Sequence, residues 1–193
     1  MSDIIHEEDE YLKDKEKRRK NRYSYLDDFK MTSSGKYEYM GRMWEYTGEY
    51  DFKELKKLFL ILVFIVLIFS VSSGFIATPG ASYKGYILVP YSLELVGVLV
   101  TAFKLVSMFR KGEKLRDYEY KSLRKQLSFY YWLTAVGSAV SLIGEIVFLI
   151  LNGAEGKVFL AILYIVSRLI CTLLTIYALK SLKMLNYDIV AKE

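Results

Sequence analysis

Cysteine, proline and histidine are almost missing from this chain of 193 residues, which has one cysteine, two prolines and a single histidine. One cysteine excludes a disulfide framework and a cysteine-rich zinc site. Cys171 lies inside an apolar run, so it reads as a small packing residue and says nothing about redox compartment. The only histidine, His6, sits in a charged tail, which leaves no histidine elsewhere for a Ser-His pair, for His-dependent acid–base chemistry or for the HExxH zinc motif. A P-loop and a Gly-rich dinucleotide fingerprint are also absent. The sequence therefore predicts a non-enzymatic protein with no cofactor and no metal, with Glu94 or Glu145 as the one catalytic option left open.

Charge is not scarce overall, at 25% against 53% hydrophobic residues with a formal net charge of +5, but it is scarce in four long stretches. Residues 58–77 read LFLILVFIVLIFSVSSGFIA without one charge. Twenty residues at about 1.5 Å each match a hydrocarbon core of about 30 Å. Stretches 86–109, 127–151 and 158–179 are of similar length and carry one or two ionisable groups each. A soluble core helix would not be apolar on every side. The expected fold class is an all-α membrane protein, a bundle of four transmembrane helices with a charged, aromatic-rich cytoplasmic N-terminal segment. Its divisions are a charged tail over 1–26, an aromatic juxtamembrane element over 27–56, the transmembrane domain over 57–183 and a C-terminal tail over 184–193.

Orientation follows from basic residues in short loops, which collect on the cytoplasmic side. The connector between the second and third spans carries Arg110, Lys111, Lys114, Arg116, Lys121, Arg124 and Lys125, whereas the two other loops offer Lys84 and Lys157. Both termini and this connector are expected in the cytoplasm, in a plasma or inner membrane. A helix break is expected near Gly112. The first apolar run begins after more than 50 residues and is too long for the h-region of a cleavable signal peptide.

Outside the spans, Glu7, Glu8, Asp9 and Glu10 precede Arg18, Arg19, Lys20 and Arg22, a polarity that suits a helix dipole. This tract has two readings, a solvated charged helix or a polybasic patch on anionic inner-leaflet lipid. It has no nucleic-acid reader motif, so no nucleic-acid partner is expected. Residues 27–52 are rich in aromatics, and Glu38-Tyr39-Met40-Gly41 is echoed by Glu45-Tyr46-Thr47-Gly48. Gly after each strand-like step predicts a small hairpin or turn pair entered by Ser33-Ser34-Gly35. Tyr37, Tyr39, Trp44 and Tyr46 then serve either as an interfacial aromatic belt or as a docking element for a protein partner. On the outer face Tyr83, Tyr86 and Tyr91 are expected to form a second belt, with Pro90 in the first turn of the second span.

Three ionisable residues interrupt the apolar runs: Glu94, Glu145 and Arg168. Counted from the outer ends of their spans at 1.5 Å per residue, the glutamates lie about 10–12 Å deep and Arg168 about 15–18 Å deep. A long Arg side chain covers that difference, so all three are expected to meet. Leaving one charge in lipid costs about 2.5–3.5 kcal/mol even on the lenient insertion scale, which favours pairing inside the bundle. Small and polar residues at helical spacing flank the cluster and should line it: Gly97 and Thr101, Gly137 and Ser141, Tyr164 and Thr175. The first span should touch the cluster only at its Ser70 to Gly74 end. Such a cluster either locks helix register or forms a site for a proton or small solute. Two functions follow, a binding or accessory subunit of a membrane assembly, and a small solute or ion carrier built on Glu94, Glu145 and Arg168. The bilayer is the expected partner in both, joined by a protein partner or a second copy of the chain.

Overall fold

A computed structural model describes residues 26, 28–33, 35–80 and 84–190. The acidic and basic tract of the N-terminal tail, His6, Ser34 and Tyr83 lie outside the described residues. Four long helices dominate: α1 Phe52–Gly74, α2 Gly85–Lys111, α3 Asp117–Asn152 and α4 Val158–Ser181. All four are long and apolar enough to cross a membrane. Among the described residues there are also five short strands, β1 Phe29–Met31, β2 Tyr37–Tyr39, β3 Met43–Tyr46, β4 Lys114–Arg116 and β5 Tyr187–Val190. The chain is thus mostly helical, and to the expected all-α architecture the structure adds two small antiparallel sheets.

Helix ends differ from the apolar runs because charged residues continue helices readily. Asp51 starts α1 by accepting the Lys53 N–H at 3.1 Å, six residues before the first apolar stretch. Gly112 stops α2 with φ 85, a left-handed conformation that a side chain would resist. α3 begins ten residues before its apolar run, inside the basic connector. Pro90 falls in the second turn of α2, not the first, because the helix opens at Gly85. Its ring removes the N–H that would otherwise reach the Tyr86 carbonyl.

The hairpin is formed by β1 and β2, which pair Phe29 with Tyr39 and Met31 with Tyr37 around the turn holding Ser33 and Gly35. The two echoed tetrapeptides do not pair with each other. The first lies on β2, and the second lies on β3 at the centre of a three-stranded sheet ordered β4-β3-β5. Trp44 stands opposite Leu115 on one side and Ile189 on the other. This sheet ties the N-terminal segment, the α2–α3 connector and the C-terminal tail to one end of the helices, called here the sheet end. The loops 75–84 and 153–157 lie at the opposite, loop end.

The two ends have opposite interiors. At the sheet end a hydrophobic core runs from Phe59, Leu105 and Leu127 up through Phe52, Phe109 and Tyr120 into Leu115 and Tyr187 of the sheet and Leu185 just before β5. Trp44 stacks on Tyr120 with ring centroids 4.3 Å apart and donates its indole N–H to Asp117 Oδ1 at 2.7 Å. Towards the loop end the interior turns polar, with Ser70, Glu94, Ser138, Ser141, Glu145 and Arg168 fully buried. The outward faces are the reverse, since Phe64, Ile68, Phe103, Ile143, Ile150, Phe159 and Leu173 are all exposed. A polar inside with an apolar outside is the pattern a hydrocarbon solvent selects.

Asp117 gives the cap a pH limit. Partial burial raises its carboxyl, but hydrogen bonds from Lys121 and Trp44, with the charges of Lys121 and Arg42, outweigh burial and hold it below the usual aspartate value. A depressed carboxyl contributes stability that is complete above the unfolded value of about 4 and is lost as pH falls through the folded one. Acidification below about pH 4 should therefore loosen the Trp44 contact. In Trp132→Phe protein this is expected as a shift of the remaining Trp44 emission, and a signal constant through the acid range would contradict it.

Candidate functional site

Small residues set the distance at which the site forms. α2 and α3 cross at Gly97 and Gly137, where a methyl group on Gly137 would meet the Pro90 carbonyl oxygen at 2.7 Å and the Glu94 nitrogen at 3.0 Å. Those neighbours are backbone and cannot swing away, so only glycine permits this approach. The remaining residues expected to line a site are used in the same seams. Thr101 donates to the Gly97 carbonyl at 2.8 Å, Ser141 and Tyr164 share a hydrogen bond at 2.6 Å, and the buried Thr175 Oγ1 has no hydrogen-bond partner. The stripes therefore bring helices together, and of these residues Tyr164 alone also borders a cavity at the loop end.

Inside this frame Arg168 and Glu94 form a fully buried ion pair, Nη1 to Oε2. The other Glu94 oxygen accepts from Ser70 Oγ at 2.5 Å, and Arg168 Nη2 lies 3.4 Å from the Ser70 carbonyl oxygen. The Arg168 guanidinium sits between two aromatic faces, 4.9 Å from the Tyr91 ring centre and 5.2 Å from that of Tyr164. Ser138 Oγ, on α3, donates to the Arg168 carbonyl at 3.0 Å. Three helices thus supply charge, counter-charge and hydrogen bonds, and the fourth, α3, braces the Arg168 backbone.

Glu145 does not join this pair. The three-way meeting expected from depth alone is corrected: Arg168 is ion-paired to Glu94, and Glu145 lies nearer the loop end, fully buried with Gly80 packed against its carboxylate. Ser138 is level with Arg168, and Glu145 follows it by two turns, about 10 Å along the axis. The reach of the Arg side chain is spent on Glu94, and Tyr164, its ring 5.2 Å from the guanidinium, is hydrogen-bonded to Ser141, one turn before Glu145. Among the described residues no three His, Cys, Asp or Glu side chains converge as metal ligands.

Two members of the site carry little signal in the sequence. Ser70 stands at the end of an aliphatic helix and was expected only to touch the cluster, yet it is the hydrogen-bond hub of the ion pair. Tyr91, expected in an interfacial belt, turns inward one turn before Glu94 on the same face of α2. The i, i+3 spacing of Tyr91 and Glu94 is the signal that marks it. No protein-family model, curated protein or solved structure matches this chain. Its function has to be read from the side chains themselves.

The aromatic element is largely spent on the fold. Tyr39 packs on Phe29 and Tyr118 under the Arg116 guanidinium, Trp44 on Tyr120, and Tyr46 on Phe52 and Tyr187. Of the four residues expected to dock a partner, Tyr37 alone points away, at 72% exposure.

Proposed function

We propose that the chain crosses a membrane four times with the sheet end in the cytoplasm, and that it works without enzymatic chemistry as a binding or accessory subunit of a membrane assembly. The basic connector supports that orientation, because it shares the sheet end with the N-terminal segment and the C-terminal tail. The observation that carries the binding role is the β1–β2 hairpin. Met31 is 65% exposed, Tyr37 72% and Met40 49%, at the end of the molecule that this orientation puts in water. Lipid explains the exposed apolar residues of the helices but not these, and an apolar patch held in water marks an interaction surface.

A photo-crosslinking residue at position 37 tests this reading in native membranes. A defined heterologous adduct, lost when Met31→Lys and Met40→Lys are added, is the expected result. Adducts to lipid alone, or an adduct unchanged by the lysines, would refute it, and an adduct to a second copy would make the assembly a homo-oligomer.

A cavity of about 290 Å³ at the loop end favours a second reading, a small solute or ion carrier. It is lined by Ser73, Ile76, Ile87, Tyr91 and Tyr164 among others, so its walls include both rings that cover Arg168. Against that reading stands the closed ion pair, in which Glu94 has already neutralised the cation.

A further inference from the structure

The sheet end holds a second cavity, unrelated to the buried ion pair. It has a volume of about 190 Å³ and lies between α3 and α4, walled by Leu115, Leu123, Leu127, Leu179, Leu182 and Leu185 with Tyr120 and Tyr187. A wider hollow of about 720 Å³ adjoins it, sharing Tyr120, Arg124, Lys183 and Tyr187, and adds Lys180 to the rim. One compartment is apolar and the other is rimmed by cations.

Three features make these a site. First, Arg124, Lys180 and Lys183 are exposed and enter no ion pair among the described residues. The acidic groups facing them are Glu49 and Asp188, and Asp188 already accepts from Thr47 Oγ1 at 2.7 Å. Second, the Tyr187 hydroxyl is a buried donor with no hydrogen-bond partner, on a residue only 4% exposed that borders both compartments. A buried polar group without a partner is costly and calls for a ligand atom or water. Third, Leu127 and Leu179 are the sheet-end residues of two apolar runs. In the membrane reading above, on which this inference rests, the slot therefore opens at the level where acyl chains meet headgroups.

We infer that this double cavity binds one anionic phospholipid, its acyl chain entering the leucine slot and its phosphate meeting Arg124, Lys180 and Lys183 within reach of the Tyr187 hydroxyl. A basic pocket between helices at the cytoplasmic face provides the charge complementarity such a headgroup requires. A zwitterionic lipid brings the same chains but cancels the attraction with its own cation. Free phosphate brings the charge but leaves the leucine slot unfilled.

Trp44 reports on the site because its ring stacks on Tyr120. The full chain carrying Trp132→Phe is placed in nanodiscs containing brominated phosphatidylglycerol, or brominated phosphatidylcholine, at a low mole fraction. Expected are quenching of Trp44 by the anionic lipid at least several-fold stronger than by the zwitterionic one, and loss of that preference in the Arg124→Gln, Lys180→Gln, Lys183→Gln variant. Arg124 Nη1 also donates to the Tyr120 hydroxyl at 2.6 Å, so the Lys180→Gln, Lys183→Gln variant, which leaves that bond and the Trp44 stacking in place, is measured beside it and should lose most of the preference as well. In native mass spectrometry of the protein released from the same discs, one retained phosphatidylglycerol per chain is expected, reduced in Tyr187→Phe. Equal quenching by both lipids, an undiminished preference in the triple variant, or relief of quenching by millimolar inorganic phosphate would overturn the proposal. Failure of the protein to enter the discs would overturn the membrane reading instead, and crosslinking at position 37 reports on the partner separately.

Discussion

Arg168→Met should cost about 3–5 kcal/mol of stability, because it strips the counter-charge from a glutamate that has no exposure. The penalty comes less from the lost attraction than from what remains. Glu94 must then either stay ionised without solvent exposure or take up a proton, and the Ser70 hydrogen bond alone compensates neither. Adding Glu94→Gln to Arg168→Met should recover most of the loss, since removing both members of a buried pair is often near neutral. Thermal unfolding in mild detergent measures the two variants. A double variant no more stable than Arg168→Met would show that the pair does not act as a unit.

The same double variant separates the two functional readings. A register lock can be replaced by any pair that packs, so crosslinking through position 37 should persist in it. A carrier built on Arg168 cannot lose that buried cation, so any pH- or solute-driven flux of the native chain in proteoliposomes should vanish. Stability and transport are thus read on one protein, and neither result can stand in for the other.

Why part of this was legible in the sequence, and part was not, comes down to the range of the interactions. The four helices were legible because an uncharged run of twenty residues has few other solutions. Their ends were not, because Lys53, Glu54, Glu119, Lys121, Arg124 and Lys125 are good helix formers whose charge ends the apolar run but not the helix. The pairing of Glu94 with Arg168 was foreshadowed by the cost of leaving either in lipid. The separation of Glu145 was not, because the axial stagger of α3 against α4 is set by packing and by the loop at 153–157, and depth counted along one helix carries no such information. Strands β4 and β5, reading KLR and YDIV, are too short to show a period. Tyr187, Ile189 and Val190 do favour a strand, but runs of three and four residues are held extended here by pairing with β3 between them, which is a tertiary effect.

Trp44 carries the sheet end, and Trp44→Ala should cost about 3 kcal/mol, the low end for deleting a large aromatic from a packed site, because this ring is only half-buried. Its removal takes away the stacking on Tyr120 and the 2.7 Å hydrogen bond to Asp117 together. Since Trp44 sits on the central strand, facing Leu115 and Ile189, the effect should not stay local. β4 and β5 have no other strand to pair with in a sheet ordered β4-β3-β5, so both edges should loosen at once. Limited proteolysis should then cut in the connector 112–116 and after residue 184 at rates that rise together, while cleavage in the loop 153–157 at the far end stays constant. A double-mutant cycle with Tyr120→Ala is expected to give a coupling of about 0.5–1.5 kcal/mol for the stacked pair. If cleavage rises in the connector 112–116 only, the sheet is two independent pairings and not one cap, and the shared wall of the lipid cavity at Tyr187, on β5, would then survive loss of the Trp44 contact.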